Sequence, residues 1–309
     1  MILVWIMLVV GFVLLIKGAD YFVEGSSAVA KILRIPSVVI GLTIVAMGTS
    51  APELAVSVTA ALTGNNEIAV GNVIGSNIFN LMVVTGTCGV ILPMAVDKGI
   101  LNGDFIFSII ISGVLLAMFA FDMQIGRLDG IILLVLFAYF IVKLVRKALK
   151  ERTEAQEEAE SLSPIKIFIY IVGGIAAIVM GGDIVVDSAS KVASSFGLSQ
   201  NLIGLTIVAM GTSLPELVTS IVASRKGENG LALGNVIGSN IFNILMILGI
   251  SSAIHPIAVT IQSSYDLIVL IVFSAAVWLM ARSRKEVNRG EGIAMLALYF
   301  GYMVYIIMR

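Results

Sequence analysis

Two stretches of this chain bring together side chains that could strip water from a cation. The first, Gly41 to Thr59, reads Gly-Leu-Thr-Ile-Val-Ala-Met-Gly-Thr-Ser-Ala-Pro-Glu-Leu-Ala-Val-Ser-Val-Thr, an apolar segment interrupted by Gly48, Thr49, Ser50, Pro52 and Glu53. Pro52 removes a backbone donor and clashes with the preceding turn, and Ser50-x-x-Glu53 has the spacing of a capping box that opens a new helix. Two half-helices are expected. Where they meet stand leftover carbonyls, free amides, two hydroxyls and one carboxylate, an inventory suited to a dehydrated cation. A single copy would also fit a proline kink whose glutamate only caps a helix.

The second stretch follows at once. Ala69 to Asn80 reads Ala-Val-Gly-Asn-Val-Ile-Gly-Ser-Asn-Ile-Phe-Asn, with Asn72, Ser76 and Asn80 at helical spacing and therefore on one face. Gly71 and Gly75 form a small-xxx-small pair, whose default role is close helix packing.

Both stretches recur. Gly204 to Glu216 repeats Gly41 to Glu53 at an offset of 204 − 41 = 163 residues, and Ala232 to Asn243 repeats Ala69 to Asn80 at the same offset, with 11 of 12 positions identical. The offset also pairs Gly18 with Gly181, Asp20 with Asp183, Glu24 with Asp187 and Pro93 with Pro256. Packing has no reason to place an acid, an amide and three hydroxyls twice in an apolar background, so the kink reading loses ground to a binding site built from Glu53 and Glu216.

The elements that must hold these residues are membrane helices. Hydrophobic residues make up 59% of the 309 and charged ones 13%, with a mean hydropathy of +1.06, whereas soluble domains are about 45–50% apolar. At ~20 residues per span plus short loops, the length accommodates about ten spans. The N-terminus enters apolar sequence with neither a basic leader nor a cleavage site, as an uncleaved first helix would, and that helix is expected from Ile2 to Leu33. Spans near 100–121 and 128–147 complete a first half. A short charged stretch follows, acidic at Glu151, Glu154, Glu157, Glu158 and Glu160. The expected organisation is a five-helix repeat over 1–147, a cytoplasmic linker over 148–163, and a second five-helix repeat over 164–309. The fold class is all-α and polytopic, with helices 2 and 7 broken.

Five spans per half is an odd number, so the halves enter the membrane with opposite orientation and form inverted repeats. Such repeats with discontinuous helices put an ion site at the bilayer midplane, where alternating access can operate. Fifteen of the 19 Lys and Arg, including Lys31, Arg34, Lys147, Arg225 and Lys226, fall on one side, and Arg127, Lys191 and Arg309 on the other, with Lys17 inside the first helix. The crowded side is then cytoplasmic, and both termini face outside the cell membrane. One cysteine, Cys88, excludes an intramolecular disulfide, and a single histidine, His255, argues against a His/Cys metal cluster.

Two carboxylates ~5 Å apart repel by about 3 kcal/mol at an effective dielectric of ~20, so a site holding both calls for cations. One Ca2+ neutralises the pair, and so do two Na+. Ca2+ takes six to eight oxygens, a number within reach of two glutamates, backbone carbonyls and water, whereas Mg2+ gives up its water reluctantly. Competition for one site with access alternating between the two sides is antiport. A channel would use the same oxygens along a continuous pore. An intramembrane protease is the enzyme alternative, but no His-Glu-x-x-His occurs and Met180-Gly-Gly-Asp183 lacks the first glycine of Gly-x-Gly-Asp. The chain is read as not an enzyme, with no cofactor, no nucleic-acid partner and no obligatory protein partner; its partners are Ca2+, Na+ and the lipid bilayer.

Gly48-Thr-Ser-Ala-Pro-Glu53 with Gly71-Asn-Val-Ile-Gly-Ser-Asn77, present in both halves, resembles the alpha-repeats of the cation/calcium antiporter superfamily, in its sodium/calcium exchanger branch of prokaryotic type. The proton/calcium branch typically carries Gly-Asn-Ala-Ala-Glu at the first of these, and ranks second together with the potassium-dependent branch. The resemblance implies Na+/Ca2+ exchange. It implies Ca2+ ligands from the side chains of Glu53 and Glu216 and the carbonyls of Thr49 and Thr212. It implies Na+ sites lined by Ala46, Ser50, Ser76, Ala209, Ser213 and Ser239, with Asn80 and Asn243 at the centre. Asn243 departs from relatives that carry aspartate there, the potassium-dependent branch among them. Outside this set, Asp20, Glu24, Asp183 and Asp187 read either as an ion vestibule or as lateral partners of Lys17 or Lys191. Met47 and Met210 read as packing residues.

Overall fold

The computed structural model describes residues 1–64, 67–150, 162–198, 207 and 209–308. Apolar runs of this length become helices because lipid offers the backbone no hydrogen-bond partner and a helix satisfies its own groups. Along the chain these are α1 (Ile2–Leu33), α2 (Ser37–Thr49), α3 (Ala51–Thr63), α4 (Ile68–Ile91), α5 (Ile100–Asp122), α6 (Arg127–Lys150), α7 (Pro164–Ser195), α8 (Leu214–Arg225), α9 (Asn229–Ile254), α10 (Ile261–Arg284) and α11 (Arg289–Met308). Among the described residues, eight helices are long and apolar enough to cross a membrane, and α2 with α3, a pair bent by 50°, meets the same measure when the two are taken together. The break at helix 2 is thus where Pro52 puts it. A short helical turn, Ala209–Gly211, precedes α8. The rest of the first half of helix 7 lies outside the described residues apart from Ile207, as does most of the linker.

α1 is one continuous helix, as expected, and it packs along α7. A Cβ on Gly18 would sit 2.9 Å from the Gly174 carbonyl oxygen, and one on Gly181 would sit 2.8 Å from that of Gly11. Numbers that rise on α1 meet numbers that fall on α7, so these two helices, equivalent by the 163-residue offset, run antiparallel. Small residues at the contact let the backbones come together, the usual device of helix pairs in lipid.

Among the described residues, four two-residue strands tie the loops of one half to those of the other. β1 (Met94–Ala95) pairs with β4 (Glu286–Val287), and β2 (Gln124–Ile125) pairs with β3 (Ile257–Ala258), both antiparallel. Val96 N–H donates to Lys285 O and Val259 N–H to Met123 O, each at 2.8 Å, which extends both pairings by one bond.

Among the described helices long enough to cross a membrane, the most enclosed is α9, which packs on α2. A Cβ on Gly238 would lie 2.7 Å from Leu42 Cα, and one on Gly234 2.7 Å from the Val38 carbonyl oxygen. The close packing expected of Gly71 and Gly75 is therefore found in their second-half equivalents. Gly71 is exposed and Gly75 half-buried, and a Cβ on either would meet no described atom within 4 Å.

Candidate ion site

The bend between α2 and α3 falls at Ser50, where φ is −83° and ψ 13°, and the proline that follows occupies the first turn of α3, where no donor is needed. α8 starts in the same way at Leu214-Pro215. Glu53 and Glu216 thus stand in the first turn of their helices, where amide groups are free and the helix dipole favours negative charge. Both carboxylates are fully buried. α4 and α9 cross in front of them, carrying Ser76, Asn77, Asn80, Ser239, Asn240 and Asn243, all at most 4% exposed.

Each carboxylate takes one hydroxyl from its own half and one from the other. Ser76 Oγ and Ser213 Oγ donate to Glu53 Oε1 at 3.4 and 3.1 Å; Ser239 Oγ and Ser50 Oγ donate to Glu216 Oε1 at 3.4 and 2.7 Å. Neither half holds a complete site. Behind the carboxylates, Asn72 Nδ2 donates to Glu53 O and Ser57 Oγ, and Asn235 Nδ2 donates to Glu216 O and Ser220 Oγ, so an asparagine pins the backbone of each glutamate. Thr49 Oγ1 donates to Val45 O at 3.1 Å and lies 3.0 Å from Asn235 Oδ1, linking α2 to α9.

The second carboxylate oxygens are different. Glu53 Oε2, Glu216 Oε2, Asn80 Oδ1 and Asn243 Oδ1 are buried acceptors with no hydrogen-bond partner among the described residues. Leaving an acceptor bare in an apolar interior costs free energy, and for anionic oxygens the cost is larger still. A hard cation relieves it, because carboxylate and amide oxygens are the donors such ions prefer.

The comparisons with known proteins agree with this chemistry. The family described as sodium/calcium exchanger protein matches residues 3–145 and 166–308. The chain belongs to that family. The sodium/calcium exchanger MaX1 of Methanosarcina acetivorans is 33% identical over 97% of each chain, and the inner membrane protein YrbG of Escherichia coli is 37% identical over 100% of this chain and 97% of that one. A structure of the sodium-calcium exchanger NCX_Mj, soaked with zero Na+ and Ca2+, superposes with a TM-score of 0.86 at 31% identity and covers 99% of each chain. With its long apolar helices, the chain is a multi-pass membrane protein.

Set against the family's motif, the structure brings Thr49, Ser50, Glu53, Ser76, Asn80, Ser213, Glu216, Ser239 and Asn243 into one buried cluster, with Ala46 1% exposed beside them. Thr212 is half-buried next to Ser213. The side chain of Ala209 lies outside the described residues.

Three expectations need correction. Ser50 makes no capping hydrogen bond, and neither does Ser213. Each hydroxyl instead donates to the carboxylate across the interface. Met47 is 41% exposed, on the outward side of α2, and only Met210 packs against the core. Asp20 pairs with Lys226 at 2.9 Å rather than with Lys17, while Asp187 does pair with Lys191.

The reading from sequence passed over Asn77 and Asn240, which join α4 to α9. It also gave no sign that the backbone widens into a π-helical turn at Asn80–Val84 and again at Asn243–Ile247. Such turns interrupt regular helix bonding and are frequent at functional sites. Both begin at the asparagines that the family motif places at the centre.

Proposed function

We propose that the chain exchanges Na+ for Ca2+ across the cell membrane by alternating access to one midplane site, with Glu53 and Glu216 supplying side-chain oxygens to Ca2+. The observation that carries this reading is the exchange of hydroxyls between halves: Ser50 serves Glu216 and Ser213 serves Glu53, both carboxylates being fully buried. A site completed only by both halves opens when they move relative to each other, and this couples ion occupancy to access. Carbonyls of Thr49 and Thr212 add Ca2+ ligands. Ala46, Ser50 and Ser76, with Ala209, Ser213 and Ser239, line the Na+ positions.

The antiparallel run of α1 against α7, equivalent helices of the two halves, supports inverted repeats over 1–147 and 164–309, ten spans in all; the loop charges support a cytoplasmic 148–163 linker and both termini outside. The two stretches matched by the exchanger family fall within those units.

The deciding experiment is Ca2+ uptake by purified protein in liposomes with Na+, K+ and proton gradients imposed one at a time. An outward-directed Na+ gradient is expected to drive Ca2+ in. Uptake that follows only a pH gradient would make the chain a proton/calcium exchanger, an absolute K+ requirement would make it potassium-dependent, and non-saturable flux without a counter-ion would make it a channel.

A further inference from the structure

α4 and α9 cross where two asparagines clasp each other. Asn77 Nδ2 donates to the backbone carbonyl of Asn240 at 3.1 Å, and Asn240 Nδ2 donates to that of Asn77 at 3.2 Å. A backbone carbonyl can only accept, so the NH2 end of Asn77 must face it and Oδ1 must be the other end. Asn243 meets that oxygen with its own Nδ2 at 3.0 Å. With its NH2 directed there, Asn243 is left with Oδ1 as a buried acceptor that has no partner among the described residues. Two amides in series thus carry the polarity of one backbone carbonyl to the centre of the cluster. The two ends of an amide are nearly the same size and opposite in partial charge. Turned by 180°, Asn243 would present N–H groups where a cation needs oxygen.

We propose that Asn77 is a positioning residue that locks the amide of Asn243 with its oxygen toward the ion site, so that Asn243 attracts a cation rather than repelling it. The proposal rests on the reading that Glu53 and Glu216 hold Ca2+, and it assigns Asn77 no contact with the ion. The equivalent arm is not engaged in this structure: Asn240 Oδ1 and both polar atoms of Asn80 have no partner among the described residues. Asn77 and Asn243 are therefore the pair to test.

Ca2+ binding to the purified full-length protein in detergent, titrated by calorimetry without gradients, reads this directly. Asn77→Ala, and Asn77→Leu as a variant that fills the same space, are expected to weaken Ca2+ binding about tenfold, the size of a lost polar contact to a charge. In an Asn243→Asp background both outer atoms are oxygens and polarity is no longer in question, so adding Asn77→Ala should not weaken Ca2+ binding further in that background. Asn240→Ala removes one bond of the clasp but keeps the carbonyl that orients Asn77, and should lose less affinity than Asn77→Ala does. Unchanged affinity in both Asn77 variants overturns the proposal. So does an equal loss in the two backgrounds, a loss in Asn240→Ala as large as in Asn77→Ala, or failure of both Asn77 variants to fold. Wild-type protein that binds Ca2+ but does not exchange it for Na+ would break the exchange reading and leave this one standing; wild-type protein that binds no Ca2+ would break both.

Discussion

Ser50 and Glu216 lie 166 positions apart and share a 2.7 Å hydrogen bond at the buried centre of the molecule. With the reciprocal bond from Ser213 to Glu53 it makes the two halves one site, because each carboxylate is held by a hydroxyl the other half supplies.

Glu53→Gln and Glu216→Gln are each expected to abolish Na+-driven Ca2+ uptake while leaving the protein folded. Each removes half of the formal charge that would oppose Ca2+ at a place where water cannot substitute. Liposome uptake beside size-exclusion profiles checks this, and near wild-type uptake by either variant would mean the ion lies elsewhere.

The acids, their repetition and the bend at Pro52 were legible in the sequence because they are local: a carboxylate in an apolar run and a missing backbone donor are visible without any fold. The partners of Ser50 and Ser213 were not. A capping box describes what a serine does toward its own helix, and the carboxylates that accept hydrogen bonds from Ser50 and Ser213 come from the other half. Asn77 and Asn240 escaped for a related reason. They sit off the face shared by Asn72, Ser76 and Asn80, and their meaning appears only where α4 and α9 cross. Met47 and Met210 occupy equivalent positions, yet one is exposed and the other packed, a difference that a repeated motif cannot encode.

Gly238 marks a close approach of α9 to α2. Alanine there would put a Cβ 2.7 Å from Leu42 Cα and 2.8 Å from Ala46 Cβ, neither of which is a flexible side-chain end. The helices must separate, at a cost of about 1–3 kcal/mol. Gly301 has nothing within 4 Å of the added atom, so Gly301→Ala is the control. Thermal unfolding in detergent should show a lower midpoint for Gly238→Ala and none lower for Gly301→Ala.

Asp20 forms an ion pair with Lys226 whose side chains are 40% and 34% exposed, respectively, and Ser27 Oγ bonds Glu228 Oε1 at 2.5 Å beside it. A half-exposed pair of this kind contributes at most about 1 kcal/mol. Asp20→Asn should therefore leave both the unfolding midpoint and the KM for Ca2+ close to wild type. A clear rise in KM would restore the reading of Asp20 as part of an ion vestibule.

The proposed orientation rests on the loop charges. A cysteine at position 157 of a Cys88→Ser protein should react with a membrane-impermeant thiol reagent only from the cytoplasmic side; the native thiol of Cys88 is 1% exposed, and its removal keeps the background clean. Labelling from outside would overturn the charge count and the inverted arrangement together.

Asn243 decides how much charge the site carries. Its amide offers an oxygen without a formal charge, so among the described residues the two glutamates remain the only formal negatives of the cluster, and one Ca2+ would balance them. Exchange by the wild-type protein is therefore expected to proceed without K+ on either side. Asn243→Asp adds a third negative beside Glu53 and Glu216, at about 3 kcal/mol per close pair for an effective dielectric of ~20. It also sets a carboxylate oxygen against Asn77 Oδ1, where an N–H now donates. Something must neutralise the addition. A retained proton would make transport depend more steeply on pH, and an extra monovalent ion entering with Ca2+ would make K+ stimulatory. Uptake by both proteins, with K+ replaced by choline and the pH varied, separates these. A variant whose pH and K+ responses match the wild type would show that residue 243 does not set the charge of the site.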